Sequence, residues 1–198
     1  MPAPHPAMNI GQQDDSSRWF ALRVKPRAER CVAAMARYKG FEELSPVYQC
    51  RRRWSDRIKI VEQPLFPGYV FCRLNPQFRF HILTIPGALH LVGLGKVPVP
   101  IDDAEIGAIQ ALVRSGVRAE PWPFLDAGQR VRLEDGPLAG LEGIVLGDRK
   151  QQRIVVSVSL LRRSVSVEVS RDWLTLLDAS GRDVEDVGLR LAKVVGCG

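Results

Sequence analysis

The rhythm of hydrophobic and polar positions changes twice along this chain. "RWFALRV", at 18–24, is dense in strand formers and predicts a first strand. Pro26 follows, where a first helical turn tolerates it. In "RAERCVAAMARYKG", Ala28, Cys31, Val32 and Met35 stand at i, i+3, i+4 and i+7, the spacing of an amphipathic helix. Arg27, Arg30 and Arg37 make its other face basic, and Gly40 is a natural stop. "FEELSPVYQ" returns to strand composition, with Pro46 requiring an edge or an irregularity. A polar, basic connection, "CRRRWSDR", leads into "IKIVEQPL", where Ile58 and Ile60 alternate with Lys59. Residues 69–74 predict another strand, 76–83 a short helix, and "ALHLVGL" a short apolar strand.

The next helix has a marked start. In "PIDDAEIGAIQALV", Asp102 is a plausible N-cap with Glu105 three residues later, the spacing of a capping box. Ile101 and Ile106 are placed as a hydrophobic staple, and Ile109, Leu112 and Val113 continue the buried face. The order over 18–114 predicts an α+β domain, an antiparallel sheet with flanking helices. "SGVRAEPWPFLDA", at 115–127, breaks the pattern with Gly and two prolines and reads as a linker. Beyond it, "QRVRLE", "LEGIVLG", "RIVVSVSLL", "SVSVEV" and "WLTLL" are short strands between turn signals, predicting a small all-β barrel over 128–177. Residues 1–17 have the Pro-rich, polar composition of a disordered leader, and 178–198 read as a loose tail.

Composition narrows the class. No apolar run approaches the roughly 18 residues of a membrane span, and the N-terminus lacks the basic and apolar regions of a secretory signal. A cytoplasmic, monomeric protein with no membrane partner is expected. The four cysteines form no CxxC pair and are expected reduced, with Cys31 and Cys72 buried. The three histidines lack ligand spacing, so neither a metal nor another cofactor is expected. The net charge of +6 is concentrated: 18–62 holds twelve Lys/Arg and five Asp/Glu, a balance of +7. A basic segment of this kind attracts phosphate polyanions in a salt-sensitive way, or else only solubilises the surface.

"EQPLFPGYVFCRL" carries the most specific chemistry. A turn needs Pro67 and Gly68 but not the rings of Phe66 and Tyr69 on either side. Those rings pack either on the core or on a partner. Together with the opening "RWFALRVKPRAE" and the later "DGPLAGLEGIV", this stretch resembles the NusG family of transcription elongation factors. The later stretch resembles the KOW motif, a Gly-punctuated hairpin in an SH3-like barrel. The longer run "RRRWSDRIKIVEQPLFPGYVF" is most similar to the specialised RfaH and UpxY-type antiterminators.

The resemblance implies an N-terminal domain that binds the clamp helices of RNA polymerase and suppresses pausing. Phe66, Tyr69 and Leu91 would line its apolar depression, with Trp19 either helping or serving as core. Lys25, Arg27 and Arg30 would lie beside the non-template DNA strand. Arg51, Arg52, Arg53 and Trp54 would point towards nucleic acid, where guanidinium groups bind phosphate and an indole stacks on an unpaired base. The alternative for these four residues is a solvated loop. In the barrel, Leu160, Leu161 and Arg163 would contact a small-subunit ribosomal protein or the termination factor Rho. Leu161-Arg162 stands where general NusG proteins usually have Phe-Gly, a departure that counts against Rho. Alternation would place at least one of the two leucines in the barrel core. Valine-rich strands have poor helix propensity, so a switch of the barrel to a helical hairpin is not expected.

Other classes find little support. There is no nucleotide loop of the GxxxxGK type and no recognisable nucleophile and base, so an enzyme is not expected. A stand-alone KOW-type RNA-binding protein is the second reading, but it leaves the FPGY segment without a purpose.

Overall fold

The computed structural model describes residues 16–53, 57–122, 128–147 and 152–177. Its N-terminal half is an antiparallel sheet of β1 (Arg18–Val24), β2 (Glu42–Leu44), β5 (Tyr69–Leu74) and β6 (Ala88–Leu91), in the order β2-β5-β1-β6. β3 (Val47–Arg53) and β4 (Ile58–Pro64) form a separate antiparallel hairpin. β7 (Gly93–Leu94) and β8 (Val97–Pro98) form a smaller one. Helices α1 (Glu29–Tyr38), α2 (Arg79–Leu83) and α3 (Asp103–Ser115) complete this half.

The strand register decides what each helix covers. Side chains alternate across a strand, and β1 and β5 pair with Ala21 opposite Phe71 and Leu22 opposite Val70. Trp19, Ala21 and Phe71 therefore join Ile101, Ile106, Ile109 and Leu112 on one side, beneath α3. Phe20, Leu22, Val70 and Cys72 join Val32, Ala33 and Ala36 on the other, beneath α1. Both central strands are thus buried on two faces, which explains why "RWFALRV" is nearly continuous in apolar residues rather than alternating.

Several details depart from the sequence expectations. Cys31 is exposed, because α1 turns Val32, Ala33 and Ala36 inward and its seam is offset from the expected one. The expected strand 41–49 is split: Pro46 has no amide to donate, so β2 stays in the main sheet and β3 leaves it. Cys50, Arg51, Arg52 and Arg53 are not a loop but the end of β3, paired with 58–61 of β4. Asp102 caps α3, its side chain accepting from the Ala104 amide at 2.8 Å, but Glu105 does not close a capping box. Its carboxylate instead accepts from the Ser159 amide at 3.1 Å.

The C-terminal half is a bent antiparallel sheet of β10 (Gln129–Leu133), β11 (Glu142–Gly147), β12 (Gln152–Val158), β13 (Arg163–Val169) and β14 (Leu174–Leu176). Val131, Leu133, Ile154, Val156, Val158, Val165 and Val167 fill its interior. A sixth strand, β9 (Ala119–Trp122), comes from the expected linker and pairs with β13. Pro121 is tolerated there because β9 lies at the sheet edge. The strand expected over 153–161 ends at Val158, and Ser159–Leu161 is a single 3-10 turn. Among the described residues, no helix is long and apolar enough to cross a membrane.

Burial, with Glu43 nearby adding to it, pushes the Cys72 thiol far above its ordinary range, and the thiolate is the reactive form. Alkylation of the native protein followed by peptide mass mapping is expected to label Cys31 and to spare Cys72 until denaturant is added.

Candidate functional site

The segment Phe66-Pro67-Gly68-Tyr69 is a type II turn. The Tyr69 amide donates to the Phe66 carbonyl at 3.1 Å, Pro67 occupies the first central position, and Gly68 has φ 82°. Three contacts hold it. The buried Glu29 carboxylate, at the start of α1, accepts from the Gly68 amide at 2.8 Å. The Gly68 carbonyl accepts from Val24 at 3.0 Å. The Arg23 guanidinium lies 4.7 Å from the Tyr69 ring centroid, close enough that a Cβ on Gly68 would meet its Nη1 at 2.6 Å. The turn is therefore bound to β1 and α1 together, and the left-handed φ at 68 favours glycine there.

The rings do not share one exposure. Phe66 is 2% exposed, its ring edge-on to Phe71 at 5.1 Å, so it is an interior residue and not the outward ring expected. Tyr69 is half-buried. Trp19 is buried on the same side of the sheet as Phe66. Leu91 pairs with Leu22 and is buried on the opposite side, beneath α1. The four residues thus do not line one depression in this conformation. The register instead sets Tyr69, Arg23 and His90 side by side across β5, β1 and β6, with His90 exposed and Arg23 half-buried. Sequence reasoning missed Arg23 and His90. The available signal was Arg23 falling in step with Trp19 and Ala21, a polar residue on an otherwise apolar row.

Beside this row lie the basic residues. Lys25 and Arg27 are exposed on the connection from β1 to α1, and Arg30 is exposed on the first turn of α1. Arg27 adopts the left-handed region at φ 66°, unusual for a residue with a Cβ. Arg30 pairs with Glu62 of β4 at 3.4 Å, which brings the start of α1 alongside the β3–β4 hairpin. Arg51 is exposed on that hairpin. For Arg52 and Arg53 only the strand backbone is described, and Trp54 lies outside the described residues.

In the C-terminal sheet, Leu160 and Leu161 sit on the 3-10 turn between β12 and β13 rather than on a strand. Leu161 is buried, Leu160 half-buried, Arg162 left-handed at φ 51°, and Arg163 exposed. The Glu105 contact to Ser159 joins this turn to the first turn of α3.

Comparison with known proteins bears on this arrangement. A family model described as "Transcription termination factor nusG" matches residues 17–110. The "Transcription termination/antitermination protein NusG" of Buchnera aphidicola is 34% identical over 166 residues, covering 77% of this chain and 92% of that protein. The chain belongs to the NusG family. The protein of the same name from Helicobacter pylori J99 is 25% identical over 169 residues, 76% of this chain and 93% of its own length. A solved structure described as "Domain interaction in Thermotoga maritima NusG" matches with a TM-score of 0.45 and 21% identity, covering 80% of this chain and 96% of that one. NusG is a family of transcription factors and not of enzymes.

The turn's clamp has a measurable cost of removal. Glu29→Ala leaves the Gly68 amide without its partner and is expected to lower stability by about 1–3 kcal/mol. Gly68→Ala, which forces a Cβ into the left-handed region against Arg23, is expected to lose a similar amount, roughly 1–3 kcal/mol. Urea denaturation followed by tryptophan fluorescence reads both.

Proposed function

We propose that this chain attaches to the clamp helices of RNA polymerase through the face carrying Tyr69, stabilises elongation, and recruits a further factor through its C-terminal sheet. As a member of the NusG family it is a transcription elongation and antitermination factor. The observation that carries the attachment reading is the clamped turn. It fixes a half-buried tyrosine under an arginine in a row ending at an exposed histidine, while Phe66 supports the turn from within. An aromatic and arginine pair on a rigid mount is the composition of an interface hot spot. Leu91 and Trp19 contribute by shaping the sheet beneath it.

Lys25, Arg27, Arg30 and Arg51 are exposed basic groups offered to the displaced non-template strand, and Arg52, Arg53 and Trp54, next in the chain, are assigned to the same role. The Arg30–Glu62 contact sets helix and hairpin side by side, so the basic groups come from two neighbouring elements. Leu160 and Arg163 present the turn between β12 and β13 to a small-subunit ribosomal protein or to Rho, with Leu161 anchoring it. The protein works in the cytoplasm as a monomer.

Retention on immobilised core RNA polymerase tests the attachment. Tyr69→Ala combined with Arg23→Ala is expected to reduce retention at least tenfold with the fold intact by circular dichroism. Unchanged retention would show that another face binds, and tight binding of isolated RNA without polymerase would favour the RNA-binding reading. Arg27→Gly separates fold from nucleic-acid contact. Glycine accepts φ 66° without the ~1–2 kcal/mol left-handed penalty, so stability is expected to hold or rise. DNA affinity should fall, with the slope of log K against log salt decreasing in magnitude by about one. Transcription through a Rho-dependent terminator, with and without the protein, measures antitermination directly.

A further inference from the structure

We propose that Arg23 selects the partner: its guanidinium takes a carboxylate, an Asp or Glu side chain, presented by the helix that docks on Tyr69. This rests on the attachment reading above and names the chemistry that the docking helix must bring.

Among the described residues four arginines are half-buried: Arg23, Arg73, Arg132 and Arg153. Three of them meet a carboxylate. Arg73 lies 3.5 Å from Glu42, Arg132 lies 2.9 Å from Glu142, and Arg153 lies 2.9 Å from Glu120 and 2.8 Å from Glu168. Arg23 has the Tyr69 ring, 4.7 Å from its guanidinium carbon, and no carboxylate among the described residues.

Its surroundings do not supply one. Residues 18–28 and 63–101, which include β1, β5 and β6, contain no Asp or Glu. Glu29 reaches the same turn, but its carboxylate already accepts from the Gly68 amide at 2.8 Å. Lys25 and Arg27 are exposed just beyond β1 and add positive charge. This end of the sheet is therefore a cationic site with its counter-charge left to come from outside.

A charge drawn partly out of water is costly until an opposite charge meets it. A stacked arginine still has its in-plane N–H fork free, and that fork matches the two oxygens of a carboxylate. Tyr69, on its clamped turn, holds the guanidinium in place beforehand, so little side-chain freedom is lost on binding. Arg23 is also the middle of the row, between Tyr69 and exposed His90. A group that reaches it must lie across β5, β1 and β6. The arrangement suits an acidic side chain better than a phosphate strand. Nucleic acid is held by several exposed cations in series, as Lys25, Arg27 and Arg30 are placed to do. One half-buried guanidinium on an aromatic ring is instead the form of an anchor at a protein interface.

Immobilised core RNA polymerase is the probe, with circular dichroism to confirm the fold of each variant. Tyr69→Ala reports on attachment through this face, and Arg23→Gln on the carboxylate. Arg23→Gln is expected to lower retention about tenfold. Arg23→Lys should recover only part of the loss, because it keeps the charge without the fork. A benzophenone crosslinker placed at position 90 marks the polymerase segment lying on the row. Reversing an Asp or Glu of that segment to Arg is expected to abolish retention of the wild type and to restore it for Arg23→Glu, a rescue that a merely structural arginine would not give. Loss of retention in Tyr69→Ala with none in Arg23→Gln would overturn the carboxylate and leave the attachment standing. Full retention of both variants would sink the two together. A crosslinked segment without an acidic residue, failure of the charge exchange, or an Arg23→Gln effect confined to DNA affinity would each overturn the proposal.

Discussion

The antiparallel pairing of β1 with β5 is the constraint on which the N-terminal half depends. Both strands are buried on two sides, so each residue is committed to α1 or to α3 by its parity alone. A slip of one residue would turn the slipped strand over, and a slipped β1 would carry Arg23 into the core under α1. The pairing also sets where α3 begins, since the Ile101 amide donates to the Trp19 carbonyl at 2.8 Å. Because α3 lies in turn against β12, the register of two strands reaches into the placement of the C-terminal sheet.

The clamped turn depends on the same pairing. The Val24 amide donates to the Gly68 carbonyl only because β1 and β5 run side by side to that end of the sheet. Glu29 adds a carboxylate at the first turn of α1, where the helix dipole favours negative charge. That group is 7% exposed, unusual for a glutamate, and its partner is a backbone amide rather than a cation. A buried charge with a hydrogen-bond donor in place is tolerable; without one it would be costly. The turn and the helix start therefore stabilise each other, and the surface that carries Tyr69 inherits its rigidity from both.

Much of this was legible in the chain. The order of elements, the two changes of rhythm, the Asp102 cap and the Gly68 turn all follow from local rules that the structure obeys. Less local features were hidden. Phe66 stands next to exposed Pro67, and its local pattern does not show that the turn folds its ring inward, edge-on to Phe71. Leu91 and Phe66 look alike as apolar residues, yet pairing across β1 sends them to opposite sides. Residues 119–122 read as linker because Pro121 weakens a strand signal, while the proline rule permits it at an edge. Glu105 has capping-box spacing, but a partner 54 residues away in the chain claims its carboxylate. For Leu91, Pro121 and Glu105 a partner distant in the chain decided between two locally acceptable outcomes, and for Phe66 a ring across the turn did.

The position of β9 has a further consequence, for how this protein meets copies of itself. An open sheet invites another strand at each edge, and such pairing is a common beginning of aggregation. Here one edge is the three-residue β14, and the other is β9, whose Pro121 has no amide to offer a newcomer. A proline that looked like a break in the pattern thus helps keep a valine-rich sheet from growing beyond its own chain.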